Sequence, residues 1–387
     1  MSLYSKNITE KVQKLIDDAA ASSELPCYSI LISGKGGTQY WQAGYQNIEK
    51  RLPISRETVF RIFSCTKIFT SFAAMIACEQ GKIRLDQPVK DFLPTFANPL
   101  VEDGESIRPA KRDLLVQDLL MMRSGLSYPD GSILTGRKCG ELLYKIEETL
   151  LSEHPMTAVD LALELGKVPL CADPGSEFRY SISADVLGAV LEVAYGESLD
   201  KIFDRMIFKP LGLKDTGFEV PEEKRHRVAT AYAKTPEGLI PQKGFHLGIS
   251  DDGRHNSCCF GGAGLFSTLD DMLRFAQCLL NKGEGLVAPD TFERWVNPDY
   301  YESVGVLPWK ELPGYRYANL LRIKLDDPKA NHIVAKGEFG WDGALGTYIK
   351  VDPKNGICYV MATQTLNYGT GPMTRLLRQV LAEDENK

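Results

Sequence analysis

The chain has 387 residues, 25% of them charged and 43% apolar, with a formal net charge of -6 at pH 7. That length allows one large domain or two with ample core, and the composition is ordinary for a soluble globular protein. Lysines and arginines never run beyond an adjacent pair, which with the acidic balance argues against a nucleic-acid partner.

The N-terminal stretch has no uninterrupted apolar core and reads as an amphipathic helix with Val12, Leu15 and Ile16 on one face. No export leader or membrane span is visible, so the sequence is expected to be cytoplasmic and without a membrane partner. Cys27 to Ser33 reads as a strand, Gly34 to Gly37 as a turn, and Gln39 to Tyr45 as a strand pairing back. An apolar run, Ile68 to Cys78, follows and ends at Glu79-Gln80-Gly81; it predicts a helix buried on nearly all sides and stopped by a glycine.

From Leu85 to about Arg227 the pattern is helices and long loops. Asp118 to Met122, Ala158 to Leu165 and Ala184 to Ala194 are helical by spacing. Strand character returns at Gly262 to Ser267, Tyr315 to Ile323, Leu345 to Val351 and Gly356 to Gln364, before a last helix from Pro372 to Ala382. The nine cysteines are odd in number and scattered, without CxxC spacing, and are expected to be free thiols. The five histidines form no HxH or HxxxH pair, so no metal or other cofactor is expected.

Three segments carry chemistry. Ser64-Cys65-Thr66-Lys67 opens the buried helix. Residues three apart share a helix face, so Lys67 lies one turn above Ser64. Burial favours the neutral amine, which can take the proton from a serine hydroxyl as it attacks. Such a four-residue match arises about once by chance in a chain of this length. Ser198-Leu199-Asp200-Lys201 is another match, and its acidic flanks mark Ser198 as a helix N-cap instead. Second, Pro174-Gly175 turns the chain toward Tyr180-Ser181, just before a helix starting near Ser183. Tyr180 can relay a proton or act as a phenolate, or it can simply cap a loop. Third, Gly340-Trp341-Asp342-Gly343-Ala344 is either a strand edge lining a ligand or a plain glycine-rich turn.

In this order the segments resemble the class C β-lactamase-like serine hydrolases, which include penicillin-binding proteins, D-aminopeptidases and family VIII carboxylesterases. The segments Gly81 to Val89, Arg123 to Leu126, Pro210 to Phe218 and Gly261 to Thr268 match as well, so the resemblance spans essentially the whole chain. It implies an α/β (α+β) fold of the β-lactamase/transpeptidase type, an antiparallel sheet flanked by helices plus a mostly helical domain. The sheet domain would comprise residues 1–84 and 228–387 and the helical domain residues 85–227, with the site in the cleft between them. Ser64 would be the nucleophile, Lys67 its base and Tyr180 the second proton relay. The backbone amides of Ser64 and Ala344 would form the oxyanion hole, each donor contributing ~2.7–4 kcal/mol. Trp341, Asp342 and Gly343 would meet the substrate.

Two departures steer the expected substrate. The β-lactamases of the group carry Tyr-x-Asn, where this chain has Ile182, and a Lys or His on the glycine-rich strand, where it has Trp341 and Asp342. A carboxylate facing the cleft would repel anionic penicillins and suit a substrate carrying an amine. In an ideal strand, however, Asp342 faces opposite to Trp341 and Gly343, so its direction stays open. The expected partner is therefore a small-molecule ester, with an amide or peptide as the alternative and a non-hydrolytic acyl-transfer or binding protein as a further one. Cys65 is expected to face away from Ser64, and the sequence leaves open whether Arg123 and Trp309 line the cleft.

Overall fold

A computed structural model describes residues 3–104, 106–303, 306, 310, 312–326 and 334–385. Its centre is an eight-stranded antiparallel sheet of β1 (Cys27–Gly34), β2 (Gly37–Asn47), β3 (Leu52–Pro53), β4 (Tyr315–Ala318), β5 (Leu321–Lys324), β6 (Phe339–Asp342), β7 (Tyr348–Asp352) and β8 (Ile357–Ala362), in the order β4-β5-β6-β7-β8-β1-β2-β3. The two ends of the chain thus meet inside the sheet, β1 pairing with β8 through Leu31 opposite Val360.

Helices cover both faces of this sheet, which is why β1 and β8 are apolar on both sides instead of alternating. Tyr28, Ile30, Ile32, Tyr359 and Met361 bury against α1 (Lys6–Ala21) and a C-terminal helix, Pro372–Glu385. In α1 the buried stripe is Ile8, Val12, Ile16 and Ala19, with Leu15 packed at its edge, and the Ser5 side chain caps the helix by accepting from the Ile8 amide. Cys27, Leu31, Cys358, Val360 and Ala362 join the opposite core, which contains α2 (Thr66–Glu79).

Twelve of the fourteen residues of α2 are buried, and each large apolar side chain so buried stabilises the fold by about 1.5–3 kcal/mol. The helix ends where the sequence indicated. Gly81 takes φ 68°, its amide bonds Cys78 O and that of Lys82 bonds Ala77 O, the pairing of a Schellman motif. Among the described residues between 85 and 227 helices dominate, and Leu100–Asp103 pairs with Ser106–Pro109 as a short hairpin. Here α3 (Ser183–Tyr195) packs against α2.

Two strand expectations need correction. Tyr315 to Ile323 is not one strand but the hairpin β4–β5, turned through Asn319 (φ 50°) and Leu320 (φ 60°). A two-residue turn of this kind normally announces itself with glycine; here Leu320 is held by burial and by its amide bonding Leu120 O. In Gly262 to Ser267 only Phe266–Ser267 pair as strand, with Phe60–Arg61. The glycines before them instead form a turn wedged between α2 and α3, where a Cβ on Gly261 would lie 2.6 Å from Ala184 O.

All nine cysteines are free. Among the described residues no three His, Cys, Asp or Glu side chains are placed to hold a metal, and no helix is long and apolar enough to cross a membrane.

Candidate active site

Ser64 sits in a single 3₁₀ turn, Phe63–Cys65, that runs straight into α2. Phe63 adopts φ 44°, a conformation that costs a bulky residue about 1–3 kcal/mol and persists only where the surroundings impose it. They do so through Ile62. Its amide bonds Leu265 O, and its carbonyl accepts from both the Cys65 amide and the Thr347 hydroxyl. The strained residue leaves the Ser64 side chain half-buried at the mouth of α2.

Lys67, one turn on, is fully buried. Its Nζ lies 3.2 Å from Ser64 Oγ, 3.0 Å from Tyr128 Oη and 2.7 Å from the Gly262 carbonyl. Burial lowers its pKa from 10.5 to about 8, against an opposing pull from Asp185 and Cys65. A neutral amine fits all three neighbours: two N–H donate to Gly262 O and Tyr128 Oη, and the lone pair faces the Ser64 hydroxyl.

Tyr180 reaches the same point from the loop before α3. Its ring stacks on Trp341 at 5.5 Å, and the Trp341 indole N–H donates to its hydroxyl at 3.0 Å. Burial drives the phenol upward from its ordinary value despite hydrogen bonding with Ser64, so Tyr180 is a neutral phenol and not a phenolate. An indole N–H can only donate. The Tyr180 oxygen is thereby an acceptor on its Trp341 side, and its own proton is left to point at Ser64 Oγ. When Lys67 is neutral, hydrogen bonding can run in one direction, from Trp341 through Tyr180 and Ser64 to the Lys67 lone pair. Such a chain can deliver a proton to a leaving group and collect one from the attacking hydroxyl.

The sequence match over residues 12–383 is to the protein-family model described as Beta-lactamase. The chain belongs to the β-lactamase family. It is 30% identical to Protein Rv1367c of Mycobacterium tuberculosis, over 87% of each chain. It is 27% identical to Esterase EstB of Burkholderia gladioli, over 98% of this chain and 96% of that one. Among solved structures it superposes on EstCE1, a hydrolase with promiscuous acyltransferase activity, with a TM-score of 0.79 and 28% identity, covering 97% of this chain and 99% of that one.

The glycine-rich strand lies beside the Ser64 turn, and its residues make different contacts. Trp341 is only 6% exposed and spends its polar group on Tyr180. Gly343 packs against the turn carrying Ser64, since a Cβ there would lie 2.3 Å from Ile62 O and 2.2 Å from Thr347 Oγ1. Ala344 is half-buried, its carbonyl tied to the Tyr368 amide. Among the described residues the amides of Ser64 and Ala344 donate to no protein acceptor.

Asp342 takes the outward of the two directions that the sequence leaves open. It lies opposite Tyr348, which belongs to the outer core with α1, whereas Trp341 lies opposite Ile349 in the core around α2. Strand alternation therefore turns Asp342 away from Trp341, and its carboxylate is 3.1 Å from Arg322. A paired carboxylate on that side does not present a bare negative charge to a ligand at Ser64.

Cys65 also points away, its thiol donating to Trp341 O, and burial pushes its pKa up to about 12. Ser198 stands at the N-cap of a short helix, Leu199–Phe203, with Asp200 in its first turn. Arg123 is half-buried, its backbone bonded to Asp118 and Gly175; Trp309 lies outside the described residues. Three site residues escaped the sequence reading: Tyr128, Gly262 and Asp185. Tyr128 and Gly262 lie in or just beyond the recurrent segments 123–126 and 261–268, and Asp185 is in the first turn of α3. Only the tertiary fold connects any of them with Lys67.

Proposed function

We propose that this chain is a carboxylesterase working through an acyl-enzyme on Ser64, with small or medium acyl esters as substrates. The observation that carries this reading is Trp341. At the position where the penicillin-recognising members hold a cation, this site has an indole whose N–H is committed to Tyr180. The Arg322 guanidinium, 5.5 Å from the Trp341 ring, is already paired with Asp342 at 3.1 Å, so a substrate carboxylate would have to compete with that carboxylate for it. A neutral ester needs no cation. Kinship with Esterase EstB and with EstCE1 supports the same class of chemistry.

In the proposed reaction Ser64 Oγ attacks the ester carbonyl as its proton passes to Lys67 Nζ. The carbonyl electron pair moves onto oxygen, which the amides of Ser64 and Ala344 face. Collapse expels the alkoxide, which takes the Tyr180 proton, and Tyr180 is re-protonated from Lys67. Water then repeats the sequence on the acyl-enzyme. An alcohol in its place would give acyl transfer, the second reading, favoured by the acyltransferase activity of EstCE1.

The test is intact mass after mixing with p-nitrophenyl butyrate and, separately, with a penicillin. An adduct on Ser64 that clears quickly with the ester alone is expected. A long-lived penicilloyl adduct with little ester turnover would instead assign the site to amides. Transfer to an added alcohol outrunning hydrolysis would make the chain an acyltransferase.

The pH dependence follows from Lys67. The base form is the neutral amine, present above about pH 8. Ester kcat/KM should therefore climb about tenfold per pH unit below that value and level off above it. A profile flat from pH 6 to 9 would remove Lys67 from the role of base.

A further inference from the structure

Asp185 is a fully buried carboxylate that the proposed reaction does not use. It stands in the first turn of α3, and the Gly262 amide donates to its Oδ1 at 2.8 Å. The carbonyl of that same Gly262 accepts from Lys67 at 2.7 Å. One peptide unit is thus held at both ends, by the carboxylate and by the amine. A Cβ on residue 262 would lie 2.5 Å from Asp185 Oδ2, so any larger residue there would have to displace the carboxylate. The neighbouring Gly261 carbonyl is bound by Thr70 of α2, which pins the peptide between the two helices.

We propose that Asp185 is a positioning residue for Lys67. Through the Gly262 peptide it sets where the amine stands, and its charge stabilises the ammonium that forms when Lys67 takes the Ser64 proton. This rests on the reading of Ser64 as nucleophile and Lys67 as base. The groups facing Lys67 from the surrounding elements are the Cys65 thiol on the 3₁₀ turn, the phenols Tyr128 and Tyr180 on their loops, and Asp185 on α3. Burial raises the thiol and both phenols, which holds them neutral. Asp185 is then the countercharge available when a proton arrives in a site that excludes water. Its own pKa is raised by burial to about 6, so it is ionised where Lys67 works.

Asp185→Asn separates charge from position, since an amide oxygen can still accept from Gly262. The assay is the rate at which a fluorophosphonate labels Ser64 from pH 5 to 10, which reports the nucleophile without requiring an ester substrate. In Asp185→Asn the rising limb should move to lower pH by roughly one unit, with a plateau roughly tenfold lower as the weaker base accepts the proton less readily. Asp185→Ala, which loses the Gly262 acceptor too, should label more slowly still. A folded Asp185→Asn with an unmoved limb and plateau overturns the proposal.

Should that variant fail to fold, the wild-type Lys67 amine decides, followed through its 13Cε signal by NMR from pH 5 to 10. Ionisation of Asp185 near pH 6 should appear in that signal as a second inflection below the main one near pH 8. A single inflection overturns the proposal. Labelling of wild-type Ser64 at no pH would defeat the esterase reading instead.

Discussion

Replacing Ser64 by alanine is expected to lower kcat for p-nitrophenyl butyrate by about 10⁴–10⁶-fold, the loss typical of a removed hydrolase nucleophile. Folding should be unaffected. The substitution deletes one half-buried hydroxyl, while Lys67 keeps its contacts to Tyr128 and Gly262. Cys65 is adjacent in sequence, but its thiol is buried against Trp341 O and too basic to form a thiolate at neutral pH. Steady-state kcat, with the thermal midpoint as control, checks the expectation. Turnover within tenfold of wild type in a folded variant would place the nucleophile elsewhere.

Tyr180→Phe is expected to cost about 10²–10⁴-fold in kcat, the range for a lost proton-transfer group. The benzyl ring keeps its place against Trp341 and Tyr317. The missing oxygen leaves the indole N–H without its acceptor, which costs about 1–3 kcal/mol of stability. Leaving-group dependence separates relay from scaffold. A p-nitrophenolate departs without help, whereas an ethoxide needs a proton, so ethyl butyrate should suffer far more than p-nitrophenyl butyrate. An equal and small loss on both esters would reduce Tyr180 to a packing residue.

The contrast between Tyr180 and Asp342 shows what a linear reading can carry. Both were singled out by their place in a motif. For Tyr180 the motif was informative because its loop and the start of α3 are local features, readable from Pro174-Gly175 and the spacing of α3. For Asp342 the motif named the residue but not its direction. That direction depends on the register of β6 against β7 and on Arg322, contributed by another strand. The β4–β5 hairpin was missed for a similar reason, as Asn319-Leu320 lacks the glycine that would mark the turn and is held by a distant backbone partner.

By itself the sequence determined the buried helix behind Ser64, its glycine stop, the sheet strands at both ends of the chain and the order of the three candidate site segments. These are properties of local periodicity, capping and burial, encoded within a few turns of chain. Only the tertiary structure decided that Lys67 meets Tyr128 and Gly262, that Trp341 serves Tyr180, and that Asp185 stands behind the Gly262 peptide. Those contacts join residues between 61 and 195 positions apart. Hydrogen-bond direction and desolvation act over a few ångström of space, and spacing along the chain carries no record of either.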